Sequence, residues 1–269
     1  MNDHKSNEAR RTQDQVSSTS QTQSQVGTIQ QPDDPGFARW RAMAEKMTGD
    51  QLLDFLGFTL PRGFDPALAL QTKAWHSFLK DIGARYTQAR LENFVITEET
   101  QRKAMALVRA YLHDIDAQME SGNGLVFYGP VGTGKDHLAI AAGREAICAG
   151  YTVCWRSAQK IFSDFRDSFS DDSGENEADL LRSLLLPEIL IVSDSVPSHG
   201  GLTEFQGNVL YRIVNARYSE LKPTWATLNV IDIAEAQRRV GMAAIDRLTH
   251  GATAVSCYWP SHRQASVSG

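Results

Sequence analysis

The chain is poor in cysteine and carries no excess of positive charge. Its 269 residues include three cysteines, Cys148, Cys154 and Cys257, each within an apolar run and none in a C-x-x-C pair. That spacing gives no disulfide framework and no thiolate metal site, and predicts core thiols in a reducing compartment. No His/Cys cluster has metal-ligand spacing. The net charge is −5, so any contact with nucleic acid must come from a local patch. No apolar run approaches the ~18 residues of a membrane span. The N-terminus has no apolar segment of secretory type. A cytoplasmic protein without membrane contact is expected.

Aromatics are missing from residues 1–35, where Gln, Ser and Thr dominate (SSTSQTQSQVGTIQQPDDPG). Such a segment buries too little apolar surface to offset the entropy of ordering. A disordered tail is expected, with a short partner-binding motif as the alternative. The whole chain is 42% hydrophobic, enough for a sizeable core. FARWRAMAEKMTGDQLLDFLGF, from Phe37, has helical spacing in Trp40, Met43, Met47, Leu52, Phe55 and Leu56. Pro61, Gly63 and Pro66 break the chain, and TKAWHSFLKDIGARY resumes a helix. Residues 37–85 therefore read as a small helical appendage, its aromatics serving as core or as a partner surface.

Beyond residue 90 the pattern alternates. Thr97 can cap a helix whose face is Ala104, Val108, Tyr111, Leu112 and Ile115. LVFY, TVCW, ILIV, WATLN and TAVSCYW are strand-like. Between them lie helical runs after Lys135, at IFSDFRDSF, at FQGNVLYRIVNARYSEL and at IAEAQRRVGMAAIDRL, while SDDSGENEAD reads as a solvated loop. Buried strands alternating with helices predict an α/β sandwich with a mainly parallel sheet, with the ligand at the carboxyl ends of the strands.

One such end carries GLVFYGPVGTGKDHLAI. Strand, glycine-rich loop, Gly-Lys and helix form the context that a phosphate-binding loop requires. Its backbone N–H groups and helix start face phosphate oxygens, and Lys135 supplies the cation. The nucleotide-contacting stretch is Gly129, Pro130, Val131, Gly132, Thr133, Gly134, Lys135, Asp136 and His137, although the His137 and His250 rings suit packing or surface roles. The motif departs from its consensus at one position: Asp136 stands where a magnesium-binding Ser or Thr is usual.

From about Arg85 to Arg263 the chain resembles the DnaC/IstB group of AAA+ ATPases, the bacterial helicase loaders and transposition helpers. RLENF, the loop segment, LLRSLLLPEILIVSDS, LYRIVNARYSELKPTWATLN and AIDRLTHGATAVSCYWPSHR carry the likeness. The resemblance implies a P-loop NTPase fold of AAA+ type, a three-layer α/β sandwich over residues 86–263. It also implies ATP and Mg2+ as ligands and self-assembly into a homo-oligomer. The implied partners are single-stranded DNA and either a replicative helicase or a transposase.

The second acidic motif of that group departs as well. Ungapped, ILIV is followed by Ser193 at the metal-associated acid and by Asp194 at the water-activating acid. A one-residue slip makes Asp194 the metal acid and Ser195 the other. In the ungapped register the loop supplies the carboxylate, Asp136, and the strand the hydroxyl, Ser193, so the usual metal pair is exchanged rather than lost. The alternative is that Asp136 only caps its helix. The expected metal set is Asp136, Ser193 and Asp194.

The resemblance assigns Asn229 to the sensor position; the alternative is a strand-end Asn in a turn. It assigns Arg247 to an arginine finger acting on a neighbouring subunit; the alternative is an Arg paired with Asp246 or another surface acid. Arg263 becomes a second phosphate-sensing arginine. The catalytic set is then Lys135, Asp194, Asn229 and Arg247. Two functions follow: an ATP-dependent loader or helper acting on DNA, and a nucleotide-gated adaptor with little hydrolysis.

Overall fold

Short runs of branched and aromatic residues become strands here because both of their faces can be covered by helices. Five such strands form one sheet in the computed structural model, which describes residues 35–58, 65–169, 176–197 and 200–262. The expected disordered tail lies almost wholly outside those residues, and Arg263 lies outside them entirely. The chain divides into two compact units, Met1–Trp75 and His76–Gly269.

The first unit contains α1 (Pro35–Lys46), α2 (Gly49–Leu56) and the first part of α3 (Pro66–Ile82). The single helical run expected over 37–58 is two helices. Thr48 ends the first and caps the second: its hydroxyl accepts from the Gln51 N–H, while the Gln51 side chain accepts from the Thr48 N–H. Trp40 and Leu56 are buried, whereas Phe55 is exposed.

The second unit holds α4 (Glu99–His113), α5 (Ile115–Glu120), β1 (Leu125–Tyr128), α6 (Lys135–Cys148), β2 (Val153–Ser157), α7 (Ala158–Asp167), α8 (Glu177–Leu185), β3 (Ile189–Ser193), α9 (Glu204–Ser219), β4 (Thr224–Leu228), α10 (Ile233–Val240), α11 (Met242–Thr249) and β5 (Thr253–Ser256). The strand order is β2-β3-β4-β1-β5, and every pairing is parallel. The cap of α4 is Glu98 rather than Thr97. Gln101 folds back so that its carbonyl oxygen accepts from the N–H groups of both Thr97 and Glu98.

Two further departures have local causes. Part of the stretch expected as solvated loop is α8, which Asn176 starts by accepting from the Asp179 N–H. The single run expected over 233–248 is split at Gly241, whose φ of 119° is incompatible with a continuing helix and costly for any L side chain.

Strand alternation decides which side chains meet the phosphate loop. Leu190 and Val192 of β3, and Ala226 and Leu228 of β4, join the apolar cluster formed with α7, α9 and α11. Their neighbours point to the opposite face. There Trp225 packs edge-on against Tyr111 of α4 and donates to its hydroxyl. Ile191 lies so close to α6 that a Cβ at Gly143 would meet its Cδ1 at 2.8 Å. Ser193 and Thr227 continue these two rows, so both hydroxyls rise on the α6 side at the carboxyl edge of the sheet.

At the opposite edge Arg217 of α9 is fully buried. It donates to Thr224 Oγ1 and to the carbonyls of Leu184, Pro187, Glu188 and Pro223. Burial pushes this guanidinium down to about 10. The arginine satisfies the carbonyls where α8 ends and where β3 and β4 begin, a task otherwise left to buried water. Cys154 and Cys257 are buried and Cys148 is half-buried, and none of the three is in a disulfide.

Candidate functional site

The loop between β1 and α6 opens on a cavity of about 620 Å³. Val131, Gly132, Gly134, Lys135, Asp136 and His137 line one side of it. Asp194 and Asn229 line another, and Tyr86, Phe94 and His262 a third. The conformation of the loop is fixed from behind by the segment after β5. Trp259 donates from Nε1 to the Thr133 carbonyl at 2.8 Å, and the His262 N–H donates to the Gly132 carbonyl at 3.0 Å. Gly134 begins α6 at φ 89°, and a Cβ there would fall 2.9 Å from the Phe94 ring. Glycine is therefore required at 134 both by the left-handed backbone and by the Phe94 ring packed against it.

Lys135 is buried within its own loop. Its ammonium donates to the carbonyls of Gly129 at 3.0 Å and Pro130 at 2.7 Å. Thr133 also donates to Pro130 O. Pro130 and Gly129 thus serve as acceptors that hold the cation beside the loop.

Asp136 lies in the first turn of α6, and two strand hydroxyls converge on it. Ser193 Oγ donates to Asp136 Oδ1 at 2.7 Å, and Thr227 Oγ1 donates to the same oxygen at 2.8 Å. Burial, and next the nearby Asp194 carboxylate, hold Asp136 above the ordinary carboxylate range. The bonds from Ser193 and Thr227 and the charge of Lys135 oppose that shift. Asp194 follows β3 at φ 50°, and its Oδ1 accepts from Asn229 Nδ2 at 2.8 Å. Ser195 is buried and donates to Val192 O.

The structure thus brings Asp136, Ser193, Asp194 and Asn229 to one place around Lys135. Ser193, not Asp194, faces the loop carboxylate, as strand alternation dictates. His137 packs its ring edge-on to Phe94 and bonds Arg90 O through Nε2 at 2.9 Å. His250 packs on Tyr218. Arg247 lies away from the cavity lining on α11. It donates from Nε to Asn215 Oδ1 at 2.7 Å and stacks over Tyr211, its guanidinium carbon 5.1 Å from the ring centroid. This amide and ring hold the guanidinium in place of the alternative pair with Asp246 or another surface acid.

Two participants escaped the sequence reading. Thr227 sits inside WATLN, where its β-branched side chain reads simply as strand. Phe94 lies within RLENF, whose aromatic has no periodic neighbours to mark it.

Comparison with known proteins gives the site its context. The IstB-like ATP binding protein family matches residues 87–268, more than half of the chain. The chain belongs to the IstB-like ATP-binding family. As a member of that family it resembles the replicative helicase loader DnaC of Escherichia coli, at 30% identity over 175 residues. That match covers 64% of this chain and 68% of the relative. DnaC of Buchnera aphidicola subsp. Schizaphis graminum is 26% identical over 201 residues, covering 74% and 77%. The crystal structure of the DnaC helicase loader superimposes with a TM-score of 0.57 at 23% identity, over 65% of this chain and 99% of that one. The fold of this IstB-like chain is thus the P-loop AAA+ fold of the helicase loaders. Among the described residues no helix is long and apolar enough to cross a membrane.

Proposed function

We propose that this chain is an ATP-dependent loader that acts in the cytoplasm on a replicative helicase and single-stranded DNA. The observation that carries the reading is the 2.7 Å contact between Asp136 and Ser193 at the floor of the loop. It keeps one carboxylate and one hydroxyl together where the site requires both. The likeness to helicase loaders at 30% identity supports the partner class.

The donor set suits a hard cation, which takes carboxylate and hydroxyl oxygens. Asp136, Ser193 and Asp194 would hold Mg2+, which when bound neutralises charge on the triphosphate of ATP. The residues of the chain do the rest. The loop N–H groups and Lys135 grip the phosphates once the ammonium leaves the carbonyls of Gly129 and Pro130. Asp194, oriented by the Asn229 amide, takes a proton from the attacking water. Arg247, displaced from its own cavity, reaches the nucleotide of a neighbouring copy and stabilises charge in the transition state. That arrangement requires a homo-oligomer.

Asp136 supports a second reading, the nucleotide-gated adaptor. Its carboxylate stands close to where a triphosphate would lie, and like charges repel without a cation between them. Steady-state ATP turnover, with and without single-stranded DNA, separates the two. The loader reading expects turnover that DNA stimulates. Tight ATP binding with no turnover under either condition favours the adaptor. Co-purification with a replicative helicase or with a transposase then fixes the partner.

A further inference from the structure

We propose that Thr227 is a positioning residue of this site, linking the carboxylate of Asp136 to the backbone that presents Asp194. The inference rests on the reading of Asp136 as a cation-holding group and adds a member to that group. Thr227 is fully buried on β4, and its side chain faces α6 in line with Trp225. Valine would fill the same volume, so packing alone does not ask for the hydroxyl.

Both polar capacities of that hydroxyl are in use. Its single proton is donated to Asp136 Oδ1 at 2.8 Å. A lone pair accepts the Asp194 N–H at 2.9 Å. One oxygen atom therefore connects the phosphate-loop helix with the turn after β3. The Thr227 carbonyl accepts the next N–H of that turn, from Ser195, at 3.0 Å. Two residues further along the chain, Asn229 donates to the Asp194 carboxylate at 2.8 Å.

Asp194 is thus held at both ends by β4, its N–H by Thr227 and its carboxylate by Asn229. The restraint has something to oppose. Asp194 lies in the left-handed region at φ 50°, which is unfavourable for a residue with a Cβ. A valine at 227 leaves the Asp194 N–H without this acceptor and Asp136 with one hydroxyl donor instead of two. The carboxylate then loses its fixed orientation, and the turn loses the bond that holds its strained residue. The effect reaches both acidic groups of the site although Thr227 touches neither phosphate nor water itself.

The test measures ATP affinity by calorimetry across a magnesium titration, in the wild type and in Thr227→Val, Thr227→Ser and Asp136→Asn. In Thr227→Val the magnesium concentration giving half-maximal ATP binding should rise by about tenfold, the usual scale for losing a hydrogen bond to a charged group. Its affinity for ATP in chelator should stay at the wild-type value, and kcat should fall more than KM rises. Thr227→Ser keeps the hydroxyl and should return the magnesium midpoint to within about twofold of wild type. If Thr227→Val does not fold, Thr227→Cys replaces it, a near-isosteric change with a weak donor that should show a smaller shift in the same direction. A wild-type magnesium midpoint in the valine or cysteine variant overturns the proposal, as does a serine variant as impaired as valine. Asp136→Asn separates the two levels. If it shifts the midpoint while Thr227→Val does not, only the role of Thr227 is lost. If neither shifts it, the cation-holding role of Asp136 is lost as well.

Discussion

The Ser193 hydroxyl donates to the Asp136 carboxylate across 2.7 Å, joining the end of β3 to the first turn of α6. Each residue occupies the position at which the other's chemistry is usual. Restoring the usual order, with Asp136→Thr and Ser193→Asp together, should be better tolerated than either change alone. The first alone leaves this pair with two hydroxyls and no carboxylate; the second alone sets two carboxylates side by side within it, raising the pKa of one. A double-mutant cycle on magnesium-dependent ATP affinity should show coupling of ~1 kcal/mol or more. Strict additivity would mean that the two residues do not share a cation.

Lys135 supplies the ammonium of the loop, and in this structure it is stored on two loop carbonyls. Lys135→Ala should abolish binding of magnesium-ATP measured by calorimetry. Binding within about threefold of wild type, a difference of only ~0.7 kcal/mol, would rule out the phosphate-loop assignment.

Arg247 lies outside the cavity lining, held by Asn215 and Tyr211. Arg247→Ala should keep ATP affinity and lose turnover, because the group acts on the transition state. Turnover per subunit in the wild type should rise with protein concentration. Mixing Arg247→Ala with Lys135→Ala should recover activity, since one copy lends its arginine and the other its nucleotide site. A mixture that co-assembles and stays as inactive as both parents would argue for the adaptor.

Glu145 on α6 offers a test of stability against pH. Burial, and next the Glu92 carboxylate, raise its pKa above the ordinary value, while Arg109, Arg144 and Arg90 pull it down. A carboxyl raised in the folded state binds protons that the unfolded chain has released, so its ionisation weakens the fold as pH rises through the folded value. Glu145→Gln should therefore raise Tm at about pH 7 and have progressively less effect towards pH 4, the region of the unfolded carboxyl. A Tm gain that grows on acidification would contradict this assignment of sign.

Much of the fold is legible in the sequence because each buried strand is a short apolar run between helices of opposite periodicity. β1 is read at its observed bounds, and ILIV falls one residue short of β3. What escapes is governed by single residues. Thr48 and Gly241 break runs whose apolar spacing continues across them, and Asn176 starts a helix inside a stretch acidic enough to read as loop. The loop, Lys135 and the Asp136/Ser193 exchange are visible because a motif sets their positions. Thr227 is not visible, because its role depends on strand direction and on a partner 91 positions away. The asparagine that holds Arg247 is hidden in the same way, on another helix 32 positions distant.

The alternation that turns Ser193 towards α6 also bears on how sites of this kind are counted. Scored column by column, Asp136 is a missing hydroxyl and Ser193 is a missing acid, so the chain accumulates two apparent defects and ranks as a degenerate enzyme. Scored as a contact, the two columns carry one carboxylate and one hydroxyl, the same inventory at swapped addresses. Positions 57 apart in the chain need to be tallied jointly before a nucleotide site is declared lost.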